Sequence, residues 1–546
     1  MKVLVAAPLV MALLAPTAAS LDASSVSVGH ICRAEQAYAS NKGPRKIEFM
    51  TGVGSGGFPV RTTSPEAQRW FDFGIQLYHA FYHEDGRLAF DKAVAADPGC
   101  AMCRWGQALS RGPTQNFDVD DKDAKTALGM AQDALKAART DEERALSQAL
   151  IDRYQAKQTA QAEEKFAAAL LKAVAKDPSR TDIRLIAAEA LLTADRRGDH
   201  PAAVQARAIV EPILKAQPDN TAAIHYYIHA TEAAGDPADA LPYAERLAGL
   251  APAASHLIHM AAHTYIHVGR YEDVAALNAK ALEVDALHAK ATDAPGVLGS
   301  PDYYPHNLSF GLAGAMMAGD GPLAVKFADD AKMAFPPGGR ENMGYMTARV
   351  MAAYGRYAPE RALQFAEPKD GDRQTLAMWR YARGEALASK GDAKAVLGES
   401  QLIGQEIEQW KKAKKDQQYG ITEAQIAQRV LEGRADMLQG RPDDAAKAFA
   451  AAAAMQEKAK WGMDPPPWWY PVRRSLAAAH LKAGRNADAV READASLKDW
   501  PSDALALQVR ALAEQRLGQA EKSKADEAAA RAAWRGDPGK MPLDLI

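Results

Sequence analysis

Three residue pairs recur at an interval of 34: Pro218 with Pro252, His225 with His259, and His229 with His263. A fixed period in this range means that one supersecondary unit is stacked on copies of itself. That restricts the chain to a repeat array before any single element is assigned. Strand-like alternation of apolar and polar residues is almost absent, alanine is abundant and aromatics make up 7%. This composition favours helix over sheet. At 546 residues the chain also exceeds what one compact core supports, as a stacked array does not.

The punctuation agrees with paired helices. Ser64-Pro65-Glu66-Ala67 is a helix start with proline in the first turn. Pro98, Pro178, Pro218 and Pro252 each close a helical stretch, and turn-like segments begin at Gly235, Gly269, Gly319, Gly440 and Gly484. Small residues at helix crossings, a glycine turn, an alanine-rich second helix and a closing proline resemble the tetratricopeptide repeat family over most of residues 64–535. The resemblance implies an all-α fold, a helix–turn–helix solenoid wound as a right-handed superhelix whose first helices line a concave groove. Spacing is irregular near 113–121 and 333–373. The organisation expected is a signal peptide at 1–20, an irregular segment at 21–62, and an N-terminal solenoid with a His-lined groove at 63–335. An irregular helical connection at 336–373, a C-terminal helical domain at 374–535 and a tail at 536–546 follow.

The signal peptide is read from Lys2, the apolar run Val3 to Ala15 and the small residues Thr17 to Ser20. The run is too short to span a bilayer, so an exported protein is expected, periplasmic or secreted. With a net charge of −3 and no basic patch, nucleic acid is not an expected class of partner. The cysteines are Cys32, Cys100 and Cys103. Arg104 after Cys100-Ala-Met-Cys103 argues against covalent haem, and no second such pair completes a zinc site. Export makes one disulfide possible, with a thiol left over, and which of the three cysteines would form it stays open. Cys100 and Cys103 are read first as small buried apolar side chains in a helix.

Histidine is where function is sought. Six of the 13 histidines lie between His225 and His267. His256, His259, His263 and His267 are spaced by three, four and four, which stacks them along one side of a helix. With Pro252 as position 32, repeats start at Thr221 and Ser255. His225 and His229 are then positions 5 and 9, and the second set falls at positions 2, 5, 9 and 13. Aligning Gly319 with Gly235 starts a third repeat at Pro305 and puts His306 at position 2. In the family such positions face the groove. His79 falls at position 13 of an earlier repeat, and His83 just after it. Phe71 to Glu84, Asp97 to Gly106, His225-Tyr-Tyr-Ile-His229, His256 to Tyr265, Tyr304 to Asn307 and Pro466 to Arg473 together resemble a group of exported bacterial tetratricopeptide proteins with His-rich repeats. That resemblance implies architecture and no particular activity. Ala261 and Ala262 depart from the Pro-Ser the group would have there.

Two chemistries are open at this point. In the first, His225, His229, His259 and His263 form a transition-metal site, with His256, His267 and His306 around it. Histidines one turn apart chelate one ion, and an all-imidazole set suits copper ahead of zinc. Five to seven imidazoles leave room for two ions. Glu232 is the nearest carboxylate, as ligand or general base. Redox and hydrolytic chemistry are both open. In the second, the groove is metal-free and binds a peptide, a protein or a small ligand through Tyr226, Tyr265, Tyr304, Asn307 and the imidazoles. Such binding would depend on pH near the ordinary histidine pKa of about 6.5. No phosphate-binding glycine loop, nucleophile elbow or H-E-x-x-H is present. Pro465 to Tyr470 reads as a rigid helix entry whose tryptophans fill core. Arg111 to Asn116 reads as a loop over the groove.

Overall fold

The computed structural model describes residues 46–195, 201–292, 303–334, 344–368, 373–412, 418–462, 464–537 and 543–546. The expected signal peptide and Cys32 lie outside these residues. Among the described residues the helices run in consecutive antiparallel pairs, and no strand occurs.

The first eight helices are α1 (Pro65–His79), α2 (His83–Ala96), α3 (Ala101–Leu109), α4 (Asp121–Ala137), α5 (Asp141–Gln155), α6 (Ala160–Ala173), α7 (Thr181–Ala194) and α8 (Ala202–Ala216). The centre of the chain forms α9 (Thr221–Ala234), α10 (Leu241–Leu250), α11 (Ser255–His267), α12 (Tyr271–Ala291), α13 (Tyr304–Ala318), α14 (Gly321–Ala334), α15 (Gly344–Tyr357) and α16 (Pro359–Gln364). The last eight are α17 (Arg373–Ser389), α18 (Ala393–Lys412), α19 (Gln418–Leu438), α20 (Pro442–Ala459), α21 (Arg473–Lys482), α22 (Asn486–Asp499), α23 (Ala504–Arg516) and α24 (Ala520–Ala533).

Local chemistry explains the boundaries. The Ser64 side chain accepts the Ala67 N–H, with Pro65 in the first turn, and the Asn220 side chain accepts the Ala223 N–H to start α9. Each such cap satisfies an amide that the helix itself leaves unpaired. Gly235 and Gly319 end α9 and α13 with φ of 88° and 73°, a left-handed conformation that a Cβ would strain. The turn glycines expected at 269, 440 and 484 likewise fall between paired helices. Helices α9 and α11 begin at Thr221 and Ser255, one 34-residue step apart.

Each helix packs on the next, and the first helices of neighbouring pairs also touch, as α7 on α9, α9 on α11 and α11 on α13 do. The result is a tetratricopeptide-like helical solenoid. Its curvature also brings α1 against α9. The two halves meet directly: Arg535 N–H donates to the Ala318 carbonyl at 2.8 Å, and Arg349, fully buried, donates to Ser309 Oγ at 2.7 Å and to the Pro466 carbonyl. Trp468, Trp469 and Tyr470 are core residues, as the proline-rich entry predicts. Arg474 beside them is spent internally, in a buried pair with Asp503 at 3.1 Å. No described helix is long and apolar enough to cross a membrane.

Cys100 and Cys103 are both buried, as expected, and the open question of a disulfide is answered. Cys100 and Cys103 are joined as a disulfide at the start of α3, with Cα atoms 5.3 Å apart. The pair spans the helix N-cap, where Cys100 is still extended. The Cα separation lies within bridging range.

Candidate metal centre

The imidazoles come together as two groups of three. His225, His229 and His256 present ring nitrogens within 4.8 Å of one another, and so do His259, His263 and His306. The expected four-ring site from His225, His229, His259 and His263 is therefore divided between two neighbouring triads. Each triad spans two helices: α9 with α11 in the first, α11 with α13 in the second. His256, three residues before His259, belongs to the first triad, its Nε2 lying against that of His225.

Within the first triad His256 Nε2 lies 3.2 Å from His225 Nε2. Within the second, His259 and His263 approach at 3.0 Å through Nε2, and His306 Nε2 lies 3.5 Å from His263 Nε2. Nitrogens bound tetrahedrally at about 2 Å from one ion would be about 3.3 Å apart. The triads are adjacent. Ring centroids of His229 and His263 are 5.6 Å apart and those of His256 and His259 5.8 Å, against 5.0 Å for His225 and His229 within one triad.

Three rings are held from behind. His225 Nδ1 donates to the His79 carbonyl at 2.7 Å. His259 Nδ1 donates to Asn278 Oδ1 at 2.7 Å, while the Asn278 amide donates to the Val274 carbonyl. His263 Nδ1 donates to Glu232 Oε2 at 2.9 Å. All three partners are acceptors, so each ring carries its hydrogen on Nδ1 and aims the Nε2 lone pair inward. For His259 and His263 this sets two lone pairs against each other at 3.0 Å, an arrangement that needs a cation between them, either a proton or a metal ion. Elsewhere in the cluster, His229 Nε2 and His256 Nδ1 are buried without a hydrogen-bond partner. Each orphaned atom costs about 1–3 kcal/mol.

Burial sets the protonation states. His225 and His259 are completely buried, and His229, the most open of the five rings on α9 and α11 in the triads, is 6% exposed. Loss of hydration pulls His225, His256 and His259 well below the ordinary range, with neighbouring imidazoles adding to the effect. It takes His229 to about 3. These rings are neutral at pH 7, the form that ligates metals. The titration near pH 6.5 expected of an open groove therefore does not apply to them. His263 moves the other way: burial lowers it, but the Glu232 charge and hydrogen bond more than offset that.

Aromatic rings wall the centre. Phe81 lies 4.4 Å from His225 and stacks on His256 at 4.9 Å. Tyr303 lies 4.2 Å from His256. Phe310 contacts His259, His263 and His306 at 4.6 to 4.9 Å. The contact of α1 with α9 delivers Phe81, which holds a left-handed φ of 58°, an uncommon conformation for a bulky residue. The loop expected over the groove does reach this wall: Asn116 donates to the Tyr303 hydroxyl at 2.9 Å.

The remaining expected residues sit outside the triads. His267, with 22% of its side chain exposed, approaches Glu232 Oε1 at 3.2 Å. Glu232 is thereby engaged through both oxygens. Tyr226 is buried and hydrogen-bonds His79 Nδ1 at 3.0 Å, and His79 Nε2 meets Asp182 at 3.1 Å. Asp182 in turn lines a polar cavity of about 510 Å³ with Ser55, Gly56 and Asn220. His83 faces the Tyr303 hydroxyl at 3.4 Å, so His79 and His83 take different partners. Tyr265 lies under the Arg270 guanidinium. Tyr304 is partly exposed. Asn307 is buried and donates to Asp285 at 3.4 Å. Phe81, Asn278 and Asp464, whose carboxylate lies 3.4 Å from His306, carried no signal in the repeat pattern.

No family model matches the chain and no curated protein does. Solved structures that are similar include the tetratricopeptide domain of P58(IPK), at 14% identity, covering 67% of this chain and 96% of that one, with a TM-score of 0.20. They also include the Cut9–Hcn1 hetero-tetramer of the APC/C, at 12% identity, 83% and 78% coverage and a TM-score of 0.29. A third is the human IFIT1 dimer with m7Gppp-AAAA, at 12% identity, 87% and 91% coverage and a TM-score of 0.29. At these scores the architecture rests on the helix pairing described above, not on the superpositions.

Proposed function

We propose that this chain is an exported tetratricopeptide-like protein whose solenoid carries a paired transition-metal centre, copper ahead of zinc. His225, His229 and His256 would hold one ion, and His259, His263 and His306 a second. The observation that carries this reading is the pair of inward-facing Nε2 lone pairs of His259 and His263 at 3.0 Å. Both Nδ1 atoms are committed to acceptors, so the gap calls for a cation, and in this reading a metal ion takes the place of the proton that Glu232 otherwise favours on His263. The second supporting observation is the orphaned Nε2 of His229, whose burial a bound ion would offset.

Copper is put ahead of zinc because a given nitrogen site binds copper(II) more tightly than zinc. Neither triad contains a thiolate or a carboxylate, and neutral imidazole suits copper and zinc. Three donors on each ion leave a coordination position open, the arrangement of reactive rather than structural sites. Glu232 acts in this reading as a positioning residue behind His263, not as a free base. Export rests on residues 1–20, and a disulfide such as Cys100–Cys103 is in keeping with an oxidising compartment. The alternative, a metal-free groove for a peptide, protein or small ligand, has less in its favour, because five of the six rings are buried and offer such a partner little surface.

Elemental analysis tests the reading. The purified full chain is stripped with a chelator, loaded with copper or zinc, desalted and measured. Retention of close to two copper ions per chain is the expected result, with zinc held less firmly in competition. Less than a tenth of an ion per chain with either metal would end it.

A further inference from the structure

We infer that the two triads hold their copper ions as a reacting pair that binds one molecule of dioxygen between them. This inference rests on the copper reading above and adds to it the ligand and the electron transfer. Three features of the centre point to it.

The first is proximity. Rings of different triads approach nearly as closely as rings of the same triad, at 5.6 Å for His229 and His263 and 5.8 Å for His256 and His259. Two ions seated on such triads would be immediate neighbours, and reaction as a pair requires one diatomic molecule to reach both. Two-metal sites that share a substrate atom have their ions about 3.5–4 Å apart.

The second is coordination. Each ion would have three nitrogen donors and no anionic ligand, which leaves an open position on each ion and keeps the reduced copper(I) state favourable. The third is enclosure. Phe81, Tyr303 and Phe310 form the walls, and the rings of His225 and His259 have no exposed surface. A charged or bulky substrate would have to displace this packing. A small, neutral, apolar molecule would disturb it least, and dioxygen is such a molecule, able to take one electron from each of two copper(I) ions.

The step balances within the centre. Each copper(I) gives up one electron and becomes copper(II). Dioxygen accepts the two electrons and becomes peroxide, held between the ions with its O–O bond intact. No proton and no outside reductant enter, and the reverse transfer releases dioxygen.

The test uses the full chain loaded without oxygen with two equivalents of copper(I) and desalted. Copper is counted, and air-saturated buffer is then admitted. Uptake of one dioxygen per pair of copper ions is expected, with an intense near-ultraviolet absorption from peroxide to copper(II). The oxygenated sample should lack the paramagnetic signal of isolated copper(II), and flushing with argon should reverse the absorption. Two copper ions held with no dioxygen uptake, or with all the copper showing an isolated copper(II) signal, would overturn this inference and leave the metal centre standing. Failure to hold copper would overturn both. His306→Ala, at a ring with 25% of its side chain exposed, should retain one copper ion with an unchanged circular dichroism spectrum and take up no dioxygen. If it takes up dioxygen as the unaltered chain does, the paired mechanism is wrong.

Discussion

Glu232 and His263, 31 residues apart, meet at 2.9 Å between Oε2 and Nδ1. The contact joins α9 to α11, fixes the tautomer of His263 and turns its Nε2 toward His259. Outer contacts of this kind change metal affinity by about 10–100-fold when removed. Glu232→Gln should therefore weaken metal binding by that factor in a chelator competition titration. The circular dichroism spectrum should stay the same, because Glu232 lies at the partly exposed end of α9. An unchanged dissociation constant would show that the carboxylate does not position the ring.

His267 occupies the same carboxylate from the other side but belongs to neither triad. His267→Ala should keep the full metal stoichiometry and lose less than the roughly tenfold that marks an outer contact of a ligand. Loss of one ion per chain on elemental analysis would instead make His267 a ligand and require a different grouping of the rings.

The contrast between these two histidines shows what could be read from the chain. Helix starts at Thr221 and Ser255 and turns at Gly235 and Gly319 were legible because caps and left-handed glycines are local chemistry. The 34-residue step also marked His225 with His259, and His229 with His263, as equivalent. Equivalence is not convergence, however. Which ring joins which triad depends on how α9, α11 and α13 are offset. That offset assigns His256 away from His259 and draws in His306 from the next coil. Asn278 sits on a second helix, off the concave positions, and Phe81 arrives through the contact of α1 with α9. Neither carries any periodic mark. The bridge between Cys100 and Cys103 stayed open in the sequence because the boundary of α3 falls at Cys100, a one-residue detail that pattern alone does not resolve.

Phe81 combines a buried ring with a left-handed backbone. Removing a buried phenylalanine ring costs about 3–5 kcal/mol, so Phe81→Ala should lower stability by that order in urea unfolding. Alanine keeps the strain of positive φ, whereas glycine relieves about 1–2 kcal/mol of it. Phe81→Gly should consequently be more stable than Phe81→Ala by about 1 kcal/mol, the reverse of their order in a helix. Equal or inverted stabilities would mean that the backbone here is not left-handed. Both variants should also exchange bound metal with a chelator faster, since the wall beside His225 and His256 is opened.

Glu423 is fully buried on α19, with its carboxyl group facing Gln374 at 2.6 Å. Burial pushes its pKa up to about 8, against the opposing pull of Gln374 and the Arg349 charge. Below the ordinary carboxylate range both folded and unfolded chains carry the proton, and nothing is lost. Between that range and pH 8 the unfolded chain ionises while the folded one stays protonated, so stability falls as pH rises. Above pH 8 both are ionised and the loss levels off. Glu189, raised to about 7 by burial between Tyr78 and Thr193, acts in the same direction. A tenfold difference in proton affinity between the folded and unfolded chains is worth about 1.4 kcal/mol, so the effect of Glu423 amounts to a few kcal/mol. The buried, neutral histidines act in the opposite direction, losing stability as pH falls below their ordinary value of 6.5. The comparison is therefore made above that range: urea unfolding should show a lower midpoint at pH 8 than at pH 7. Glu423→Gln, which keeps the shape without the ionisation, should narrow the difference by raising the pH 8 midpoint. If that variant leaves the pH dependence intact, Glu423 is ionised in the folded chain and Arg349 compensates its charge.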